Sequence, residues 1–271
     1  MIAEITLNNR KIEVDLDNPL DISIPMIFNG PQPSSYNVKA ASSKPYEVGN
    51  FIGDTRLGGS CNFEELNLIS HCNGTHTECV GHISDERISI HNTLKSSFFP
   101  AMVITVQPVS PKQTHESYDP ELNSEDMLIT SAAVTEAVNR FDKIFSIALM
   151  IRTIPNDDSK LSRKYMDKQA PFFTLEAAKA ISEMGVEHLL VDMPSVDRAF
   201  DEGKLRVHHV FWSVENGSHD VNKQNHSLKT ITEMIYVHES IPDGEYLLNL
   251  QIAPFVSDAS PSRPLIFNIQ K

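Results

Sequence analysis

Apolar and polar positions alternate over the first sixteen residues. Ile2, Ile5 and Leu7 stand on one side of the turn-forming pair Asn8-Asn9, and Ile12, Val14 and Leu16 on the other. This pattern predicts a β-hairpin. After DISIPM, a Pro-, Gly- and Ser-rich loop (NGPQPSSYN) shows no periodicity. Leu66, Leu68 and Ile69 predict a short strand, and ERISI and AMVITVQPV two more. The last of these is nearly all apolar, as expected of a strand buried on both faces. The polar segment SPKQTHESYDPELNSED is expected to cross the surface. SAAVTEAVNRF predicts a helix capped by Thr130 or Ser131, with Ala133, Val134, Ala137, Val138 and Phe141 on its apolar face. FSIALMIRT reads as a buried strand. In TLEAAKAISEMGVEHLLVD, Thr174 caps a helix, Gly185 ends it, and a strand follows. TEMIYV, EYLLNLQIAPF and PLIFNIQ return the last third to strands. Helices alternating with buried strands indicate an α/β chain with a mixed sheet, and no break suggests more than one domain over residues 1–271.

Composition narrows the partners. Lys+Arg 23 against Asp+Glu 36 gives a formal charge of -13, with no basic stripe. Nucleic acids and anionic membranes bind through Lys/Arg clusters, so neither is an expected partner. A small molecule or another copy of the chain is. The opening MIAEITLNNRKIEVDL lacks the basic-then-apolar pattern of a signal peptide, and a cytoplasmic location is the default expectation. Three cysteines at 61, 72 and 79 make no disulfide framework.

The chemistry concentrates in HCNGTHTECVGH, residues 71–82, which holds three histidines, a glutamate and two cysteines. Imidazole, thiolate and carboxylate are the ligands zinc uses. On an extended segment Cys72, His76, Glu78 and His82 share a face, with His71 one residue out of phase. Gly74 would allow close backbone approach to a metal, and Gly81 would free the placement of His82. The competing reading is a set of hydrogen-bonded core histidines.

The stretch resembles the signature His-x-Gly-Thr-His-x-Asp-x-Pro-x-His of the cyclase-like metal-dependent hydrolase family, which includes bacterial kynurenine formamidase and isatin hydrolase. DLDNPLDISIPM, MIRT, the unit ending in VDMPSVD, VHHVFW, TITEMIYV and SPSRPLIF are similar to further family segments in the same order. The resemblance implies a single mixed-sheet domain of the swivelling β/β/α type. It implies His76 and Glu78 as metal ligands, His82 as catalytic acid/base, and His208 and Glu233 as downstream ligands, with His209 an alternative to His208. Three departures stand out. Glu78 replaces Asp and reaches ~1.5 Å further, and Val80 replaces Pro. The family's first His falls at Cys72, so the first ligand is His71, by way of a bulge, or Cys72 as thiolate, or it is lost.

What the resemblance implies functionally is hydrolysis of an amide-type bond (formamide, arylformamide or cyclic amide) by metal-activated water. One or two divalent ions would serve, zinc first and manganese second, in a homo-oligomer (dimer or tetramer). Selectivity is expected from residues 29–36 and from an insertion near 213–228. A lyase or cyclase using the same centre, and a non-catalytic metal-binding relative, are the alternatives.

Overall fold

The computed structural model of the chain describes residues 1–270. The predicted hairpin forms as β1 (Ile2–Leu7) and β2 (Arg10–Asp15), with Leu7 opposite Arg10. Asn8 and Asn9 take φ of 46° and 70°, the left-handed backbone of a tight hairpin turn that Asn tolerates best among residues with a side chain. The remaining strands of the main sheet are β3 (Leu20–Asp21), β4 (His76–Glu78), β5 (Phe98–Val106), β6 (Ala148–Thr153), β7 (His188–Val191), β8 (Thr230–Glu233), β9 (Gly244–Asn249), β10 (Ala259–Pro261) and β11 (Leu265–Gln270).

Among the described residues these eleven strands form one mixed sheet in the order β1-β2-β11-β9-β5-β6-β7-β8-β4-β10, with β3 also on β11. Strands β5 to β8 run parallel, and antiparallel strands extend the sheet on both sides. Helix α2 (Ser131–Val138) starts at Thr130, whose side chain accepts from Ala133 N, and buries Val134, Ala137 and Val138. Helix α3 (Leu175–Glu183) starts at Thr174 in the same way, and Gly185 follows it at φ +80°. Leu149, Ile151, Leu189 and Val191 of the parallel strands pack with both helices in the largest core, while Ala148, Met150 and Leu190 belong to a second one. Burial on both faces is what the unbroken apolar runs require.

Several expectations are corrected. ERISI is no strand. Residues 86–89 run as irregular chain, and Ser89 caps the four-residue helix α1 (Ile90–Thr93). The strand expected around Leu66 is Glu64–Asn67. It pairs with Ser42–Pro45 in a two-stranded ribbon outside the main sheet and is exposed throughout. The run TEMIYV leaves the sheet after Glu233, where Met234 turns to φ 54°. The segment after Ser110 is not wholly superficial, since Tyr118 and Asp126 are buried. No helix among the described residues is long and apolar enough to cross a membrane.

Candidate metal centre

Strand register brings the first three site residues together. His76 stands directly opposite Glu233 across the antiparallel β4–β8 pair, and Glu78 opposite Ile231. Paired residues project to the same face, and Glu78 lies two positions from His76, so all three carboxylate or imidazole groups share it. His76 Nε2 is 3.4 Å from Glu233 Oε2. The threonine of Gly-Thr-His locks this corner. Its hydroxyl donates to Met234 O just past Glu233 and accepts from Ile24 N.

Each ligand candidate is oriented from behind. His76 Nδ1 donates to Gly74 O at 3.0 Å, leaving Nε2 with its lone pair towards the carboxylates. Glu233 Oε1 accepts from Val196 N at 3.0 Å, which leaves Oε2 for the site. His208 comes from helix α4 (Arg206–Trp212). Its Nδ1 donates to Asp197 Oδ2 at 2.6 Å, and its Nε2 faces Glu78 Oε1 at 2.9 Å. His209 turns away, with Nδ1 on Glu215 O at 2.9 Å. Of the two neighbouring histidines, His208 is therefore the one that reaches the cluster.

Glu78 lies at the centre. Oε1 meets His208, while Oε2 is 3.5 Å from His71 Nε2 and 3.8 Å from His82 Nδ1. The extended segment expected over 72–82 is only three residues long. The chain turns through His71–Gly74 and enters a 3₁₀ turn at Val80–Ile83. The shared-face argument therefore holds for His76 and Glu78 alone. His71 is brought to Glu78 by the turn before β4. Cys72 is buried beside His71 but belongs to none of the candidate ligand groups, and burial pushes its thiol up in pKa.

The two glycines of the motif differ in their surroundings. A Cβ on Gly74 would meet only the Met26 methyl at 3.3 Å, whereas one on Gly81 would lie 2.0 Å from Ile88 O. Gly81 is needed for that backbone contact.

Burial and neighbouring charge compete inside the cluster. Burial opposes ionisation of Glu78, but His82, His208 and His71 around it outweigh burial and hold its carboxyl well below the usual range. Burial likewise opposes charging of His208, yet its bonds to Asp197 and Glu78 raise its pKa well above the ordinary imidazole value. The His208 imidazole and the Glu78 carboxylate thus each favour the charged form of the other.

Three overlapping groups have ligand atoms within 4.8 Å of one another: His76, Glu78 and Glu233; Glu78, His82 and His208; and His71, His82 and Asp258. Asp258 was not apparent in the sequence, where it sits in an ordinary polar turn two residues before SPSRPLIF. Asp197 was visible only as the end of VDMPSVD. The residues fit a divalent cation. His76 Nε2 is buried with no hydrogen-bond partner although a carboxylate oxygen stands 3.4 Å away. Ligands at bonds of about 2.1 Å around a tetrahedral ion are about 3.4 Å apart. The contacts above span that spacing.

The cluster opens on a cavity of about 740 Å³ lined by His71, Glu78, His82, His208 and Glu233. Tyr36 of the 29–36 loop lines it, but the 213–228 insertion does not. The segment from Pro194 to Leu205 forms that wall instead, with Phe200 69% exposed.

The chain is 25% identical to a kynurenine formamidase of Bacillus cytotoxicus over 255 residues, 93% of this chain and 96% of that protein. An isatin hydrolase bound to the product analogue thioisatinate superposes with a TM-score of 0.60 at 12% identity, covering 93% of each chain. A potential metal-dependent hydrolase with cyclase activity gives 0.58 at 15% identity, covering 93% of this chain and 98% of that one. These structures share the fold, and the putative cyclase family model matches residues 14–198, so the chain belongs to the putative cyclase family.

Proposed function

We propose that the chain is a metal-dependent hydrolase of an amide-type bond, acting on a formamide, arylformamide or cyclic amide rather than on peptides. The observation that carries this reading is the register-paired His76 and Glu233, with Glu78 and His208 beside them, at the wall of a cavity large enough for a small aromatic amide. The name of the formamidase relative and that of the isatin hydrolase neighbour agree with it.

His76, Glu78, His208 and Glu233, together with His71, would hold one or two divalent ions, zinc in the first place and manganese in the second. A cation so held polarises a carbonyl and lowers the pKa of a water. Glu78, whose two oxygens face different imidazoles, is suited to bridge two ions. His82 lines the cavity next to Glu78 and is proposed as the acid/base that takes a proton from water and returns it to the leaving nitrogen. Asp197 holds His208 in orientation, as a carboxylate behind a ligating imidazole does. The Pro194–Leu205 segment and Tyr36 would enclose the substrate and exclude water.

A small-molecule substrate and a homo-oligomer, dimer or tetramer, belong to the same proposal. Exposed Val48, Leu57, Phe63 and Leu66 within residues 42–67 support assembly, which sedimentation velocity reads directly.

Elemental analysis of protein purified without added metal, followed by assay on a panel of N-formylarylamines and cyclic amides in ¹⁸O water, tests the reaction. Transition metal bound in stoichiometric amount and ¹⁸O in the carboxylic acid product are the expected results. Turnover without solvent oxygen would make the enzyme a lyase or cyclase. Failure to bind any transition metal would overturn the proposal.

A further inference from the structure

Asp258 does not line the cavity, yet its Oδ2 lies 3.0 Å from His71 Nε2 and 3.4 Å from His82 Nδ1. The two imidazoles stack on each other, with centroids 4.5 Å and planes 28° apart, so one carboxylate oxygen faces a nitrogen of each. The carboxylate is itself fixed. Its Oδ1 accepts from Ser257 Oγ at 3.1 Å, and the Asp258 carbonyl accepts from Cys79 N at 3.0 Å. Ala259 then pairs with Glu78 in the β4–β10 register. Asp258 is thereby tied to the backbone between Glu78 and the 3₁₀ turn that carries His82. Gly81 makes the approach close, since a Cβ there would stand 3.3 Å from Asp258 Cβ as well as against Ile88 O.

We infer that Asp258 is a positioning residue for His82, an inference that rests on His82 being the proton carrier. A carboxylate only accepts hydrogen bonds, so the ring nitrogen beside it is the one that carries hydrogen. His82 Nδ1 faces two carboxylates, Asp258 at 3.4 Å and Glu78 at 3.8 Å. The Nδ1–H tautomer is thus selected, and the lone pair falls to Nε2. A general base needs that lone pair on the substrate side, and a buried acid behind an imidazole secures it in the same way in the serine hydrolase triad. Asp258 also keeps the ring from turning about its χ2 bond, because His71 stacks on one face and the carboxylate holds the edge.

The same three side chains could instead hold a cation of their own. Against this, Asp258 does not line the cavity that His71, Glu78, His82, His208 and Glu233 line, so an ion centred on it would stand off the substrate's side.

The test compares the metal-loaded wild type with Asp258→Asn and Asp258→Glu. Long-range ¹H–¹⁵N correlation spectra of the histidine rings, with His82 assigned by its loss in His82→Asn, should show the Nδ1–H tautomer in the wild type and a mixture in Asp258→Asn. Bound metal per chain should stay the same. On an amide substrate kcat should fall about 10- to 100-fold with KM within about twofold, and Asp258→Glu should recover part of it. An unchanged tautomer, an unchanged kcat, or the loss of one metal equivalent in Asp258→Asn would each overturn the inference, the last by making Asp258 a ligand. If the wild type hydrolyses no amide, the proposed reaction fails, while the tautomer comparison still decides the role of Asp258.

Discussion

His208 donates through Nδ1 to Asp197 Oδ2 at 2.6 Å, and this contact decides which nitrogen the ring presents to Glu78. The carboxylate that receives it is buried and saturated. It also accepts from the Tyr118 hydroxyl at 2.6 Å and from Val207 N and His208 N in the first turn of α4. One side chain therefore anchors the helix and aims the imidazole.

Asp197→Asn should weaken metal binding by about 10- to 100-fold, because an amide in that place no longer fixes the tautomer or raises the basicity of Nε2. Competition against a chromophoric chelator measures it. Equal affinity in the variant would remove Asp197 from the centre.

The pKa shifts predict opposite slopes for the apo and metal-bound protein. His208 has a folded pKa above its unfolded value, so its stabilisation is complete below about pH 6.5 and is lost as pH rises through the folded value. Glu78 is depressed, so its contribution holds above about pH 4.3 and is lost as pH falls through its folded value. Protein stripped with chelator should melt at a lower temperature at pH 9 than at pH 6, and His208→Gln should flatten that slope. Metal affinity should rise over the same interval, because the ion displaces the His208 proton. Calorimetry in buffers of different ionisation enthalpy counts the proton released.

A second buried ion pair, away from the centre, carries stability. Lys160 Nζ donates to Asp192 Oδ2 at 2.7 Å and to Thr153 O at 2.7 Å, with both charged side chains almost inaccessible to solvent. Lys160→Met leaves the Asp192 charge buried without its counter-charge and should cost ~3–5 kcal/mol. Urea unfolding reads the loss. A change below ~1 kcal/mol would mean that the amide and hydroxyl of Thr153 satisfy Asp192 by themselves.

The two glycines of the motif should respond differently. Gly81→Ala forces a Cβ against the Ile88 carbonyl and should destabilise by ~1–3 kcal/mol while shifting His82. Gly74→Ala meets only the mobile end of Met26 and should change stability by less than ~0.5 kcal/mol. Thermal melting of the pair separates the two cases.

The elements readable from the chain were those whose signals are local. The Asn8-Asn9 hairpin, the helix from Thr174 to Gly185 and the apolar strands at 98–106 and 148–153 each carry their turn, cap or burial pattern within a few residues. ERISI failed because its apolar alternation serves a loop packed against Gly81. The Glu64–Asn67 strand is real but has no core to face, so its leucine signalled a partner ribbon and not the main sheet.

Within the centre, strand parity grouped Cys72, His76, Glu78 and His82, and the three-residue strand β4 keeps only His76 and Glu78 on that shared face. The resemblance added His208 and Glu233 and gave His82 its role, and the fold brings all of them to the same cluster. The turn through residues 71–74, which strand parity does not describe, brings His71 Nε2 to 3.5 Å from Glu78 Oε2 and leaves Cys72 outside the candidate ligand groups. Asp197 and Asp258 depended on how α4 starts and on the β4–β10 register, both set by pairing between distant segments. A chain determines its ligand types by local chemistry. Which nitrogen each imidazole turns to the cavity is decided only when remote carboxylates are packed behind it, because a histidine ring by itself has no preference strong enough to choose.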